Sequence, residues 1–272
     1  MSNTPLNPCV RCPPLSLIIL LMLFILCRKK EKLMERIKSY KPSISSVSEV
    51  RVLLVGQVGA GKSSFFNSFK SIFKGIVAGQ AMTGTSSFRT LIVEPEHEEK
   101  PLPLVICDTV GLEAEEGAGI HINDISNLIN GHIPDKYEVS FFLSFACSLD
   151  KIHSVAYVID ASKISIMSKN MEKKLKAIRE KVNLNCIPQL VLLTKIDEAC
   201  SLVKENVTNV YKSMYIKELE VATRFGIPLS CVVPVKNYSQ ESEVDMNIDI
   251  LLLYAVDQML NLVDDFFDDR RV

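Results

Sequence analysis

The apolar residues of this 272-residue chain fall into short continuous runs separated by amphipathic stretches. Val50–Val55, Phe88–Val93, Leu104–Cys107, Ser154–Ile159, Leu190–Leu193 and Pro228–Val235 read as strands, mostly of the kind buried on both faces. Between them the period changes to that of a helix. Phe65, Phe66 and Phe69 share a face just after residue 64. Met171, Leu175, Ile178 and Val182 do the same along 169–182, with lysines opposite, which reads as core on one side and solvated surface on the other. Residues 201–224 carry Val203, Val207, Val210, Met214 and Leu219 at helical spacing, and Ile248–Phe267 closes the chain as an amphipathic helix. Strands alternating with helices predict an α/β fold of three layers around a mainly parallel sheet.

The N-terminal fifth follows another pattern. Residues 1–14 hold four prolines, so no helix is expected there. Leu15–Cys27 is almost continuously apolar and predicts a helix ahead of the α/β fold. Thirteen helical residues span about 20 Å, short of the roughly 30 Å hydrocarbon core of a bilayer. Arg28-Lys29-Lys30 follows at once. A secretory signal would carry its basic residues before the apolar core, where Arg11 stands alone, and a small-x-small site after it, which is absent. A membrane anchor with its basic flank on the cytosolic side fits the charge order; a helix buried against the protein or a partner fits the length. The anchor is the expectation, with the rest of the chain cytoplasmic. Glu31–Tyr40 is a charged helical segment, and Lys41–Ser48 breaks it as a linker. The chain thus divides into an apolar segment with a basic linker over 1–47 and a second domain over 48–272.

Charge sharpens this division. Residues 1–50 hold eight Lys/Arg against three Glu, and the remainder carries a net charge of −6. An acidic main domain argues against nucleic acid as a partner. Of the eight cysteines, Cys107, Cys186 and Cys231 sit on or beside apolar runs, as small hydrophobes do. Cys9 and Cys12 form a lone Cys-x-x-Cys without a second ligand pair. A reducing compartment suits this usage better than a disulfide framework.

Chemistry is concentrated at strand ends. After Val50–Val55 comes Gly56-Gln57-Val58-Gly59-Ala60-Gly61-Lys62-Ser63-Ser64, the spacing of a phosphate-binding loop. Its glycines free backbone N–H groups to curl round an anion, and the helix that follows adds its N-terminal partial charge. Lys62 reaches β- and γ-phosphates in such a loop, and the Ser63 hydroxyl ligates Mg2+. Within 75–85, small and flexible, Thr83 and Thr85 are candidates for a switch threonine that caps Mg2+ and senses the γ-phosphate, although a plain polar loop reads the same way. Leu104–Cys107 ends in Asp108-Thr109-Val110-Gly111, where Asp108 can hold Mg2+ through water and Gly111 can offer its N–H to the γ-phosphate. Glu113–His132, rich in Glu, Gly, Asn and Asp, looks like a mobile second switch. Leu190–Leu193 ends in Thr194-Lys195-Ile196-Asp197, the signature of a guanine reader. The Asp197 carboxylate accepts from guanine N1 and N2, a donor pair adenine lacks, and the Lys195 stem covers the base. Lys236, in Val235-Lys236-Asn237, stands where a backbone amide meets guanine O6. The cofactors expected are GTP or GDP and Mg2+.

In Val55–Phe65, Thr83-Gly84-Thr85-Ser86, Asp108-Thr109-Val110-Gly111-Leu112 and Leu193–Asp197, the chain resembles the translation-factor-related P-loop GTPases, and more closely the interferon-induced protein 44 family. The resemblance covers about four fifths of the chain and implies a cytoplasmic role in interferon-linked antiviral responses. Longer members carry a further N-terminal domain, in whose place this chain has the apolar segment. One position departs from Ras-like enzymes: Leu112 stands where a glutamine orients the attacking water. Glu113 is offset by one, and Arg89 is the candidate arginine finger in cis. The expectation is a GTP-dependent switch or assembly factor with slow hydrolysis, aided by a second copy across the nucleotide face. The alternative is a non-hydrolysing scaffold for protein contacts. An ATPase or kinase would have no use for Asp197.

Overall fold

The computed structural model describes residues 15–77, 88–96, 100–113, 115, 122–131, 151–213 and 215–270. Helix α1 (Leu15–Lys38) leads into β1 (Val50–Gly56), α2 (Lys62–Lys74), the antiparallel pair β2 (Arg89–Ile92) and β3 (Leu104–Asp108), then α3 (Ile122–Ile129). Next come β4 (Ser154–Asp160), α4 (Lys169–Leu184) and β5 (Gln189–Thr194). Four short helices follow, α5 (Ile196–Ala199), α6 (Ser201–Glu205), α7 (Val210–Ser213) and α8 (Tyr215–Phe225), before β6 (Val232–Pro234) and α9 (Met246–Asp268). The sheet order is β2-β3-β1-β4-β5-β6, and every pairing except β2 with β3 is parallel.

Side chains alternate across each strand, so the continuous apolar runs feed two separate cores. Leu53, Val55, Tyr157, Ile159, Val191 and Leu193 face α4 and α8 through Met171, Leu175, Ile178, Val182 and Val221. Val52, Leu54, Ala156, Val158, Leu190 and Leu192 face the opposite layer, built from Phe65, Phe66 and Phe69 of α2 and from Leu252, Val256, Met259 and Val263 of α9. This is the three-layer α/β arrangement expected from the sequence.

Four local expectations change. The 201–224 stretch is not one helix. Asn206 is extended (φ −150°, ψ 112°) and its side chain accepts from the Thr208 N–H at 3.0 Å, an Asx-type bond that competes with helical pairing and ends α6. Glu113–His132, expected to be a mobile switch, contains α3, whose Ile125, Leu128 and Ile129 are buried. The apolar and charged N-terminal segments form a single helix of 24 residues rather than two elements. Finally, among the described residues the helix long and apolar enough to cross a membrane is C-terminal, not N-terminal: it is α9, and 67% of its apolar window is buried, as befits a core helix.

The basic half of α1 lies along α9. Lys30 pairs with Asp249 (2.7 Å), Arg36 with Asp257 (2.9 Å), and the Tyr40 hydroxyl donates to Asp264 (2.6 Å). Both partner sets ascend in number, so the two helices run parallel. Ile37 is fully buried between them and the second core. The other half of α1 is different: Met22, Leu23, Phe24 and Ile25 are each more than half exposed.

Candidate functional site

The three strand-end motifs converge because β1, β3 and β5 are parallel and end on the same side of the sheet. After β1 the chain must reverse sharply to enter α2. Gly61 does this at φ 99°, where a side chain would be strained and its Cβ would sit 2.9 Å from Asn237 Nδ2. The turn delivers Lys62 and Ser63 at the N-terminus of α2. Lys62 is buried and donates to the carbonyls of Gly56 (2.9 Å) and Gln57 (3.2 Å). Burial holds its ammonium below the ordinary lysine range, against the opposing pull of Asp108. The cation is therefore folded over its own loop, where an anion would take it up.

Asp108 ends β3 at 1% exposure and accepts from the Ser63 hydroxyl at 2.7 Å. The two predicted Mg2+ residues thus meet directly. An alcohol and a carboxylate at one point form the all-oxygen donor set that suits a hard divalent cation. The buried Thr109 hydroxyl donates to the Leu54 carbonyl (2.7 Å), fixing the turn to β1. Past it, Leu112 N–H donates to Gly56 (2.9 Å) and Val58 N–H to Leu112 (3.1 Å), so this loop is tied to the phosphate loop itself. Gly111 passes so close that a Cβ there would lie 2.7 Å from Val58 Cα. Leu112 is 1% exposed and belongs to the core.

At the β5 end, Thr194 at the tip of the strand donates to the Ala60 carbonyl at 2.6 Å. Lys195 adopts φ 54°, and its ammonium pairs with Asp160 at 3.0 Å. Asp197 follows at the start of α5. Asn237, after β6, donates to the Gly61 carbonyl (3.1 Å), and the Tyr238 N–H donates to Ser68 on α2 (2.8 Å). A cleft of about 1040 Å³ runs between these walls. Gly59, Gly61, Lys62, Ser63, Ser64, Gly111, Lys195 and Asp197 line it, joined by Thr109, Asn237 and Glu241. Gly56, Ala60, Asp108 and Thr194 stand behind the wall as its framework. The Lys236 side chain is directed to acids, 2.8 Å from Glu241 and 3.6 Å from Asp197. Thr83 and Thr85 lie outside the described residues. Arg89 opens β2 opposite Asp108.

Sequence reasoning missed Thr109, Asp160, Asn237 and Glu241. Asp160 ends a buried strand, the same signal that marked Asp108. Thr109 and Asn237 carried none, because their partners Leu54 and Gly61 lie far off along the chain; Glu241 has local partners, and only its link through Lys236 to Asp197 is distant.

The profile of the 50S ribosome-binding GTPase family matches residues 51–195, from β1 through the lysine after β5. The chain belongs to this family. It is 40% identical to human interferon-induced protein 44-like over 259 residues, 88% of this chain and 57% of that protein. It is 35% identical to human interferon-induced protein 44 over 258 residues, 88% of this chain and 58% of that protein. The relationship expected from the motifs is borne out, and the chain spans less than three fifths of the length of these curated relatives. Among solved structures, a dimerization-deficient mutant of Toc33 from Arabidopsis thaliana has the same fold, with a TM-score of 0.52 at 18% identity over 89% of this chain and 93% of that one. The chain is a GTP-binding protein with a P-loop GTPase fold.

Proposed function

We propose that the protein is a guanine-nucleotide switch or assembly factor that binds GTP or GDP with Mg2+ and hydrolyses GTP slowly, in interferon-linked antiviral responses. The observation that carries this reading is the joining of base reader to phosphate loop. Thr194 holds Ala60 and Asn237 holds Gly61, so Asp197 and Lys62 face one cleft at fixed separation. Mg2+, where bound, neutralises phosphate charge. Ser63 and Asp108 would hold it, and Lys62 would take the β- and γ-phosphate oxygens. Slow turnover follows from Leu112: a core side chain cannot orient water, and acceleration needs a group from elsewhere, such as a second copy docked across the nucleotide face. The antiviral setting rests on what the relatives are called.

The exposed Met22–Ile25 turn of α1, followed by Arg28 and Lys29, supports the further proposal that α1 contacts the cytosolic face of a membrane. Truncation to start at Glu31 should move the protein from the membrane to the soluble fraction, and a full chain that is already soluble refutes the contact. For the nucleotide reading, the identity of the co-purifying nucleotide is the test. ATP bound as tightly as GTP overturns it. Single-turnover phosphate release then separates slow hydrolysis from a scaffold that does not hydrolyse.

A further inference from the structure

The guanine-reading carboxylate is not held by its own motif. Asp197 Oδ2 lies 3.6 Å from the Lys236 ammonium, an ion-pair distance rather than a hydrogen bond. The same ammonium is 2.8 Å from Glu241 Oε1, within hydrogen-bond range. The second oxygen of Glu241 accepts from two backbone groups, the Ser239 N–H at 2.9 Å and the Gln240 N–H at 3.1 Å. One carboxylate therefore joins residues 236, 239 and 240 of the loop after β6 and, through Lys236, ties that loop to Asp197. The three side chains are only 16–24% exposed, so the ties are partly shielded from solvent. The balance of forces agrees. Burial opposes the Glu241 charge, yet the Lys236 bond and the Ser239 N–H overcome it and bring the carboxyl down to about 2. Burial likewise lowers Lys236, and Glu241 and then Asp197 push it above the ordinary lysine value.

We infer that Glu241 is a positioning residue for guanine recognition, acting on Asp197 through Lys236. The inference rests on the assignment of Asp197 as the base reader. Asp197 must present both oxygens to N1–H and N2–H at once, so its orientation matters more than its charge alone. With Glu241 in place the ammonium is drawn away from Asp197 and only steadies it. Without the Glu241 charge, Lys236 has a single acidic partner here and closes onto the oxygen that guanine needs, while a glutamine carbonyl can still accept from the Ser239 and Gln240 N–H groups and hold the turn.

The test is a thermodynamic cycle in the full chain, with GDP and XDP affinities measured for wild type, Glu241→Gln, Asp197→Asn and the double variant. Glu241→Gln is expected to weaken GDP about tenfold, the worth of one charge-assisted contact. On the Asp197→Asn background, read with XDP, it should cost less than about twofold, because the attraction Lys236 would redirect is gone. Equal losses on both backgrounds, or no loss on either, overturn the inference and leave Glu241 a structural residue. Wild type that binds ADP as well as GDP instead overturns the base-reader assignment itself. Lys236→Met breaks the same chain at its middle link and should repeat the pattern if Glu241→Gln fails to fold; losses equal on the two backgrounds would again refute the role.

Discussion

Lys62→Met separates the two roles a buried cation can have. In this structure Lys62 is 6% exposed, and its ammonium donates to two carbonyls of its own loop, Gly56 and Gln57. Neutral carbonyls compensate a buried charge incompletely, as the lowered lysine value shows. Methionine keeps most of the stem and removes the charge, so the nucleotide-free protein should lose nothing in stability. A gain of about 1 kcal/mol would raise its melting temperature by about 2–4 °C for a domain of this size. Triphosphate binding should move the other way. Loss of charge-assisted bonds to the β- and γ-phosphates costs about 3 kcal/mol, or roughly 150-fold in the dissociation constant for GTP. GDP, which offers one of the two groups, should lose less. Calorimetric titration of both nucleotides in Mg2+, alongside thermal melting without nucleotide, reads the two effects separately. Unchanged GTP affinity would refute the phosphate-loop assignment. Affinity and melting temperature falling together would show that Lys62 braces the loop rather than waiting for an anion.

Asp197→Asn reverses the hydrogen-bond pattern offered to the base, and should shift preference from guanine to xanthine nucleotides by at least about tenfold in competition binding. Gly111→Ala puts a Cβ 2.4 Å from Val58 Cγ2 and 2.7–2.8 Å from its backbone; a loss of about 1–3 kcal/mol in chemical denaturation is expected, and wild-type stability would show that the loop can yield. His153 is buried, and desolvation first, then Arg51, lower its value from 6.5 to about 4. The native state then binds fewer protons than the unfolded one in that window. Stability is fully present above about pH 6.5 and declines as pH falls toward 4, by about 2 kcal/mol between pH 7 and pH 5. His153→Gln should flatten that slope in urea titrations at the two pH values.

Much of the site was legible because its parts are local. A glycine loop, an Asp-x-x-Gly turn and a Thr-Lys-x-Asp turn each occupy a few consecutive residues after an apolar run, and parallel strands bring such ends together without further instruction. What stayed hidden depends on single residues meeting across the chain. Glu241 follows Asp197 by more than forty positions, and its role exists only once β5 and β6 are neighbours. Thr109 looked like filler in a motif until its hydroxyl reached Leu54 on another strand. The break at Asn206 was misread because valines at helical spacing on either side continue the period across it. The continuity of α1 was missed because a change from apolar to charged residues was taken for a boundary, although nothing in Arg28-Lys29-Lys30 breaks a helix. The described residues exclude Thr83 and Thr85, so the switch threonine stays as the sequence left it.

The parallel seating of α1 on α9 gives the molecule a polarity. Asp249, near the first turn of α9, takes Lys30 on one oxygen and the Tyr238 hydroxyl (2.7 Å) on the other, and Tyr238 lines the cleft. Since α1 runs alongside α9 in the same sense, the turns of α1 before Lys30 project past that point, on the side where the parallel strands end. Six residues of helix carry Phe24 about 9 Å further out. A surface or partner that took up Met22–Ile25 would therefore approach from the same side of the sheet as the cleft.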